Sequence, residues 1–137
     1  MIEIVDTPLL LQPLLDHVSA PHVGAVSSFS GVVRNHNLGK GVLYLEYECY
    51  APMALKEMQT IVEQAYAKWE LHQIAVVHRV GRIEIGESAV MIATSSAHRK
   101  ESLAALSYVI DTLKATVPIW KKEYWQDGSM WLENCCG

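Results

Sequence analysis

The sequence predicts an α+β domain built around a mixed or antiparallel sheet. Strand-like and helix-like segments are interleaved, yet several strands follow one another directly, at residues 74–80, 82–85 and 89–94. That order suits an α+β domain better than a run of βαβ units. Two apolar stripes have helical spacing: Met53, Leu55, Met58, Ile61, Val62, Ala65 and Trp69, then Leu103, Leu106, Val109, Ile110 and Leu113. Residues 42–50 instead alternate, with Leu43, Leu45, Tyr47 and Cys49 set against Tyr44, Glu46, Glu48 and Tyr50. A period of two gives that strand two chemically distinct faces.

Taken in order, residues 1–5 alternate Ile2 and Ile4 with Glu3 and read as a short strand. Asp6 or Thr7 is expected to cap a helix with Pro8 in its first turn, running to about Val18. Residues 23–33, rich in Val and Ser, read as a strand, and residues 34–41 as a polar loop with two glycines. After the strand at 42–50, Pro52 opens the first long helix. Residues 74–80 and 89–94 are strands, with the short segment 82–85 between Gly81 and Gly86. The second long helix follows Ser95-Ser96, whose hydroxyls are expected to cap it, and Pro118 ends it. Residues 119–125 are expected to pair with 130–133 around the turn Gln126-Asp127-Gly128-Ser129. With no linker and no repeat, residues 1–137 read as one domain.

Half of the residues are hydrophobic, 19% are charged, and the net charge is −4. That balance argues against a nucleic-acid binder, which carries a basic excess on its contact face. No apolar run approaches the ~20 residues that span a bilayer, and the N-terminal residues lack the basic start of a signal peptide. Cys49, Cys135 and Cys136 make an odd set without framework spacing. The expectation is a reduced, cytoplasmic protein with a frayed Cys135-Cys136 tail. Six histidines and three cysteines contain no metal-ligand spacing; His72 and His78 stand six residues apart near a strand. No Gly-rich nucleotide loop is present.

Three constellations carry chemistry. In Phe29-Ser-Gly-Val-Val-Arg34 the strand runs out into a Gly-containing loop, where the Arg34 guanidinium would grip a phosphate or carboxylate with two parallel hydrogen bonds. An ordinary surface arginine is the plainer alternative. In Ser95-Ser-Ala-His-Arg99 two cations, His98 and Arg99, occupy the start of a helix, where cations are disfavoured and a bound anion would explain them. Pairing with Glu101 or simple solvation would serve as well. In Asp111-Thr-Leu-Lys-Ala-Thr-Val-Pro-Ile-Trp-Lys-Lys-Glu123, Lys114 and Lys121 flank Pro118 in a segment that otherwise reads as core. Ammonium groups crowded together against apolar walls shed protons more readily, which suits proton transfer or nucleophilic attack. As a strand, residues 119–123 put Lys121 on one face with Ile119 and Glu123, and Lys122 on the other with Trp120. All three lysines snorkelling from a surface is the bland alternative.

Phe29-Ser-Gly-Val-Val-Arg-Asn-His-Asn37, His78-Arg-Val-Gly81, Ile85-Gly-Glu87, Ser96-Ala-His-Arg99 and Asp111-Thr-Leu-Lys114 leading into Pro118-Ile-Trp-Lys-Lys-Glu123 occur in an order that resembles the large, catalytic subunit family of molybdopterin synthase. The resemblance implies an α/β hammerhead-like fold with an added antiparallel β subdomain. It implies an enzyme that turns cyclic pyranopterin monophosphate into molybdopterin by adding two sulfurs. The sulfur would come from the C-terminal Gly-Gly thiocarboxylate of a small ubiquitin-like sulfur-carrier subunit. The large subunit would be a homodimer within a heterotetramer, and no metal or organic cofactor is implied. Residue by residue, Lys114 and Lys121 match the catalytic lysines, with Arg34, His98, Arg99 and Phe29 around the substrate and Trp120 as a further wall. Family members often carry basic residues after the final strand, where this chain has Glu133-Asn-Cys-Cys-Gly137. A non-catalytic module that grips a ubiquitin-like tail is the alternative.

Overall fold

A computed structural model describes residues 1–37, 39–126 and 128–133, the last four of these by backbone alone. The element order is β1 (Ile2–Val5), α1 (Gln12–Val18), β2 (Ala25–Val32), β3 (His36–Asn37), β4 (Lys40–Cys49), α2 (Ala51–Lys68), β5 (Gln73–Arg79), β6 (Gly81–Glu84), β7 (Ser88–Ser96), α3 (Arg99–Thr116), β8 (Ile119–Trp125) and β9 (Gly128–Glu133). Two sheets result. The first has the order β1-β5-β7-β2, with β1 parallel to β5 and the other pairs antiparallel. The second is antiparallel, in the order β3-β4-β8-β9 with β6 on the other side of β4. The expected mixed sheet and the added antiparallel unit are therefore both present.

Strands β5 and β7 read as continuous apolar runs because both their faces are covered. Ile74 and Val76 point into the main core with Val90 and Ile92. Ala75 and Val77 point the other way, into a smaller core closed by Leu14 and Val18 of α1. Helices α2 and α3 pack on each other, with α2 reaching β1 and α3 lying on β7 and β2. The second sheet joins the main core through Leu45, Tyr47, Ile83 and Ile119. Each large apolar side chain buried there contributes roughly 1.5–3 kcal/mol.

Several expectations are corrected. Helix α1 starts at Gln12 rather than near Asp6, with Pro13 in its first turn. A helix begun at Pro8 would place the Pro13 ring against the Leu9 carbonyl four residues back. The polar loop at 34–41 is mostly a tight hairpin: Asn37 pairs with Lys40, and Gly39 takes a φ of 78°. In β4 a register shift between Val42 and Tyr44 breaks the alternation, so Val42 and Leu45 are buried and Leu43 is exposed. Helix phases also differ. Met53 and Leu103 face solvent, while Ala54, Ser102 and Ala105 are hidden. Small side chains let each helix lie closer to its neighbours and rotate the larger residue outward. The turn at Gln126-Asp127 is as expected in position, since Trp125 pairs with Gly128; Asp127 itself, like the Cys135-Cys136 tail, lies outside the described residues.

Candidate active site

Arg34 and Lys121 meet in one hollow. Arg34 stands just past β2. There the Val33 amide donates to the Glu87 carbonyl (3.0 Å) and the Gly86 amide donates to the Val33 carbonyl (2.9 Å). These bonds fasten the strand's end to the turn between β6 and β7. That turn is braced in its own right: Glu87 accepts from the Glu84 amide (2.9 Å) and lies 3.3 Å from Arg79 Nη1. The Glu84 amide and the Arg79 guanidinium together hold the Glu87 carboxyl below the usual carboxylate range. Arg79 is buried and donates through Nη2 to the Arg82 carbonyl (3.2 Å). Its Nη1 is near enough to Glu87 for an ion pair but is not aligned for a hydrogen bond.

Lys121 arrives from β8. Strand alternation turns Ile119, Lys121 and Glu123 inward, and Trp120 is exposed on the other face. Lys122 follows Trp120 outward and lies over the Tyr124 ring. The hollow also takes walls from Asn37, Leu45 and Tyr47, and its enclosed volume is about 30 Å³. That admits one or two waters; a bicyclic substrate would have to lie across its mouth.

The residue that the sequence reading missed is Glu123. Its carboxylate lines the same hollow and is only 2% exposed. Asn37 Nδ2 donates to Oε2 (2.7 Å), Trp125 Nε1 donates to Oε1 (3.2 Å), and Lys121 Nζ stands 3.8 Å from Oε2. Burying a carboxylate without partners is strongly unfavourable, so these three groups hold it in place. The expected crowd of ammonium groups around Lys121 is thus replaced by an ion pair. One signal was available: an acid on the inward face of an otherwise apolar strand register.

The other predicted residues lie apart from this hollow. Lys114 is exposed in the last turn of α3 and does not line it. Phe29 sits in mid-β2, opposite Ile92, packed partly buried against the main core. Neither Phe29 nor Trp120 walls the hollow. His98 and Arg99 are brought together, but at the far end of the first sheet. His98 is the N-cap of α3, and no side chain caps that helix. Ser95 and Ser96 are buried strand residues rather than caps. Gly24, just before β2, pairs with Ser96, whereas Val33, just after it, pairs with Glu87. The nine residues of β7 separate these two ends, a span of roughly 26 Å at about 3.3 Å per residue. His98 borders a different hollow, of about 390 Å³, with His22, His72, Glu70 and Glu101. His22 Nε2 and His72 Nδ1 are in contact at 3.1 Å.

His78 is fully buried, its Nδ1 lying 2.8 Å from the Arg79 carbonyl. Burial pushes its pKa down to about 4, partly offset by that carbonyl. It therefore stays a neutral structural imidazole near pH 7. Among the described residues no three His, Cys, Asp or Glu side chains cluster as metal ligands, and no helix is long and apolar enough to cross a membrane.

One protomer thus offers two anion-seeking clusters. The first pairs a guanidinium with an ammonium held by a buried carboxylate. The second, at the far end of the sheet, has His98 and Arg99 in succession where β7 passes into α3. Such groups grip phosphate or stabilise a developing oxyanion.

The family model described as MoaE protein matches residues 4–116. The molybdopterin synthase catalytic subunit of Halalkalibacterium halodurans is 44% identical over 129 residues, covering 94% of this chain and 83% of that protein. The Arabidopsis thaliana protein of the same name is 49% identical over 120 residues, covering 88% of this chain and 61% of its own length. The crystal structure of molybdopterin synthase from Staphylococcus aureus superposes with a TM-score of 0.92 at 42% identity, covering 96% of both chains. A match over most of its length, in sequence and in fold, means that this chain belongs to the MoaE protein family.

Proposed function

We propose that the chain is the catalytic subunit of a molybdopterin synthase, acting in molybdenum cofactor biosynthesis as a sulfurtransferase. The relatives' shared name supports the role. The observation that carries it to chemistry is the convergence of Arg34 and Lys121 on one hollow backed by the buried Glu123. The substrate is cyclic pyranopterin monophosphate, and the sulfur donor is the C-terminal thiocarboxylate of a small ubiquitin-like subunit. The hollow is too small for the Gly-Gly end itself, so the tail's terminal carbonyl would be presented at its mouth, where the pterin also lies. The thiocarboxylate sulfur attacks the pterin, and water then adds to the resulting thioester carbonyl. This addition builds negative charge on the carbonyl oxygen, and collapse breaks the acyl–sulfur bond, leaving sulfur on the pterin and a carboxylate on the tail. Lys121 stabilises that charge or supplies a proton, and Glu123 keeps its ammonium aimed. Lys114, exposed at the end of α3 and outside the hollow, would act on the substrate from beyond its mouth.

Residues 1–137 act as one domain, in the cytoplasm, without a metal or organic cofactor. The ~26 Å between Arg34 and His98 supports a homodimer in which a two-fold partner supplies the second cluster. With a small subunit on each protomer, the assembly is a heterotetramer.

The test mixes the purified chain with the thiocarboxylated small subunit and the cyclic pterin. Dithiolene product is expected. A complex that assembles yet leaves the pterin unreacted would leave only a tail-binding module.

A further inference from the structure

The corner that carries His98 and Arg99 is fixed more firmly than a strand-to-helix connection requires. Only Ala97 and His98 separate β7 from α3. Gly24 lies against them: its amide donates to the Ser96 carbonyl (3.1 Å), and a Cβ there would fall 2.2 Å from the Ala97 carbonyl oxygen. That obstacle is backbone and cannot swing aside, so only glycine fits without moving the corner. Ser96 Oγ donates to the His98 carbonyl. One turn into α3, Ser102 is fully buried, with Oγ 2.7 Å from Ser27 Oγ and 3.1 Å from the Thr94 carbonyl. Thr94 Oγ1 in turn donates to the Ser102 carbonyl (2.8 Å). Alanine would pack there with better helix propensity and no hydroxyl to satisfy. By contrast, the His98 and Arg99 side chains are exposed, with no hydrogen-bond or ion-pair partner among the described residues. What the structure fixes is the backbone from which they project.

We infer that Gly24 and Ser102 are positioning residues, which lock the Ser96–Arg99 corner so that the imidazole and guanidinium already face the substrate's phosphate when it arrives. This rests on the function proposed above. Preorganised groups lose less freedom on binding, so loosening the corner weakens capture of the substrate more than the chemical step.

The test follows Gly24→Ala, Ser102→Ala, Arg99→Ala and the Gly24→Ala/Arg99→Ala double variant in two measurements. One is amide hydrogen exchange at residues 97–99; the other is steady-state turnover with the thiocarboxylated small subunit and the cyclic pterin. Gly24→Ala is expected to speed exchange and to raise KM about tenfold while kcat stays within about threefold. Ser102→Ala is expected to raise KM about threefold. The double variant should be no worse than Arg99→Ala, because both remove one coupled grip. Ser107→Ala, on an exposed position of the same helix, should match the parent. If Gly24→Ala does not fold, Ser102→Ala decides by the same readouts. Unchanged exchange and KM beside an impaired Arg99→Ala overturn the inference and leave the proposed function standing, as does a double variant whose losses multiply. An Arg99→Ala enzyme with parental KM removes Arg99 from the site, and the inference falls with it.

Discussion

Lys121 stands 3.8 Å from a buried carboxylate, Glu123, and that neighbour sets what its ammonium can do. Period-two alternation separated it from Lys122, and the structure puts the two on opposite faces as expected. Its partner was legible only as a neighbour on the same strand face; the burial of the Glu123 carboxylate was not, because Asn37, which holds it, comes from a hairpin 86 residues earlier in the chain. Lys121→Ala is predicted to lower product formation by about a hundredfold, in line with loss of one oxyanion-stabilising group, while co-elution with the small subunit persists. If Lys114→Ala and Lys121→Ala both keep full turnover, the lysine assignment is wrong. Glu123→Gln keeps the shape but removes the charge opposite Lys121. It is predicted to cost about 1–3 kcal/mol in urea unfolding and to lower turnover by roughly tenfold.

At the scale of elements, the strands and long helices were legible because their periods are strong. The boundaries were not, where two prolines competed for one helix start or a bulge shifted β4. The corner 95–99 illustrates the difference: serine before a helix suggests a cap, but pairing with β2 and β5 extends β7 through both serines. Strand β5 carries a pH prediction through His78. Its folded pKa of about 4 lies below the ordinary 6.5. The unfolded chain therefore binds the proton first, so the stabilisation is complete above pH 6.5 and is lost as pH falls toward 4. Urea unfolding should reveal a loss of about 3 kcal/mol across that window, and His78→Gln should flatten the slope. Gly86, with φ of 86°, closes the turn behind Arg34. Gly86→Ala is predicted to cost about 1–2 kcal/mol of stability, read as a lower Tm.

For the whole molecule, distance was not legible from the order of residues. Arg34, His98 and Arg99 were all candidates for a single pocket, and the strand that separates them is itself one of the clear predictions. What was missing was the pairing that lays β2 along β7, setting the two clusters at its opposite ends. A shared site between protomers has a direct check. Arg34→Ala and Arg99→Ala chains, each inactive alone, are denatured together and refolded. Half of the resulting dimers are mixed, and each mixed dimer has one intact site, so about a quarter of parental turnover should return. No recovery would mean that no site is shared across the dimer.

The rigidity of β7 has a physiological corollary. A strand buried on both sides does not bend to bring its ends together, so, on the proposed shared site, a lone protomer would be unable to fold the two clusters onto one another. Activity then becomes a readout of abundance. Diluted below the dimer's dissociation constant, the enzyme would lose specific activity in proportion to its own concentration, and a cell that makes too little would fall silent before it ran out.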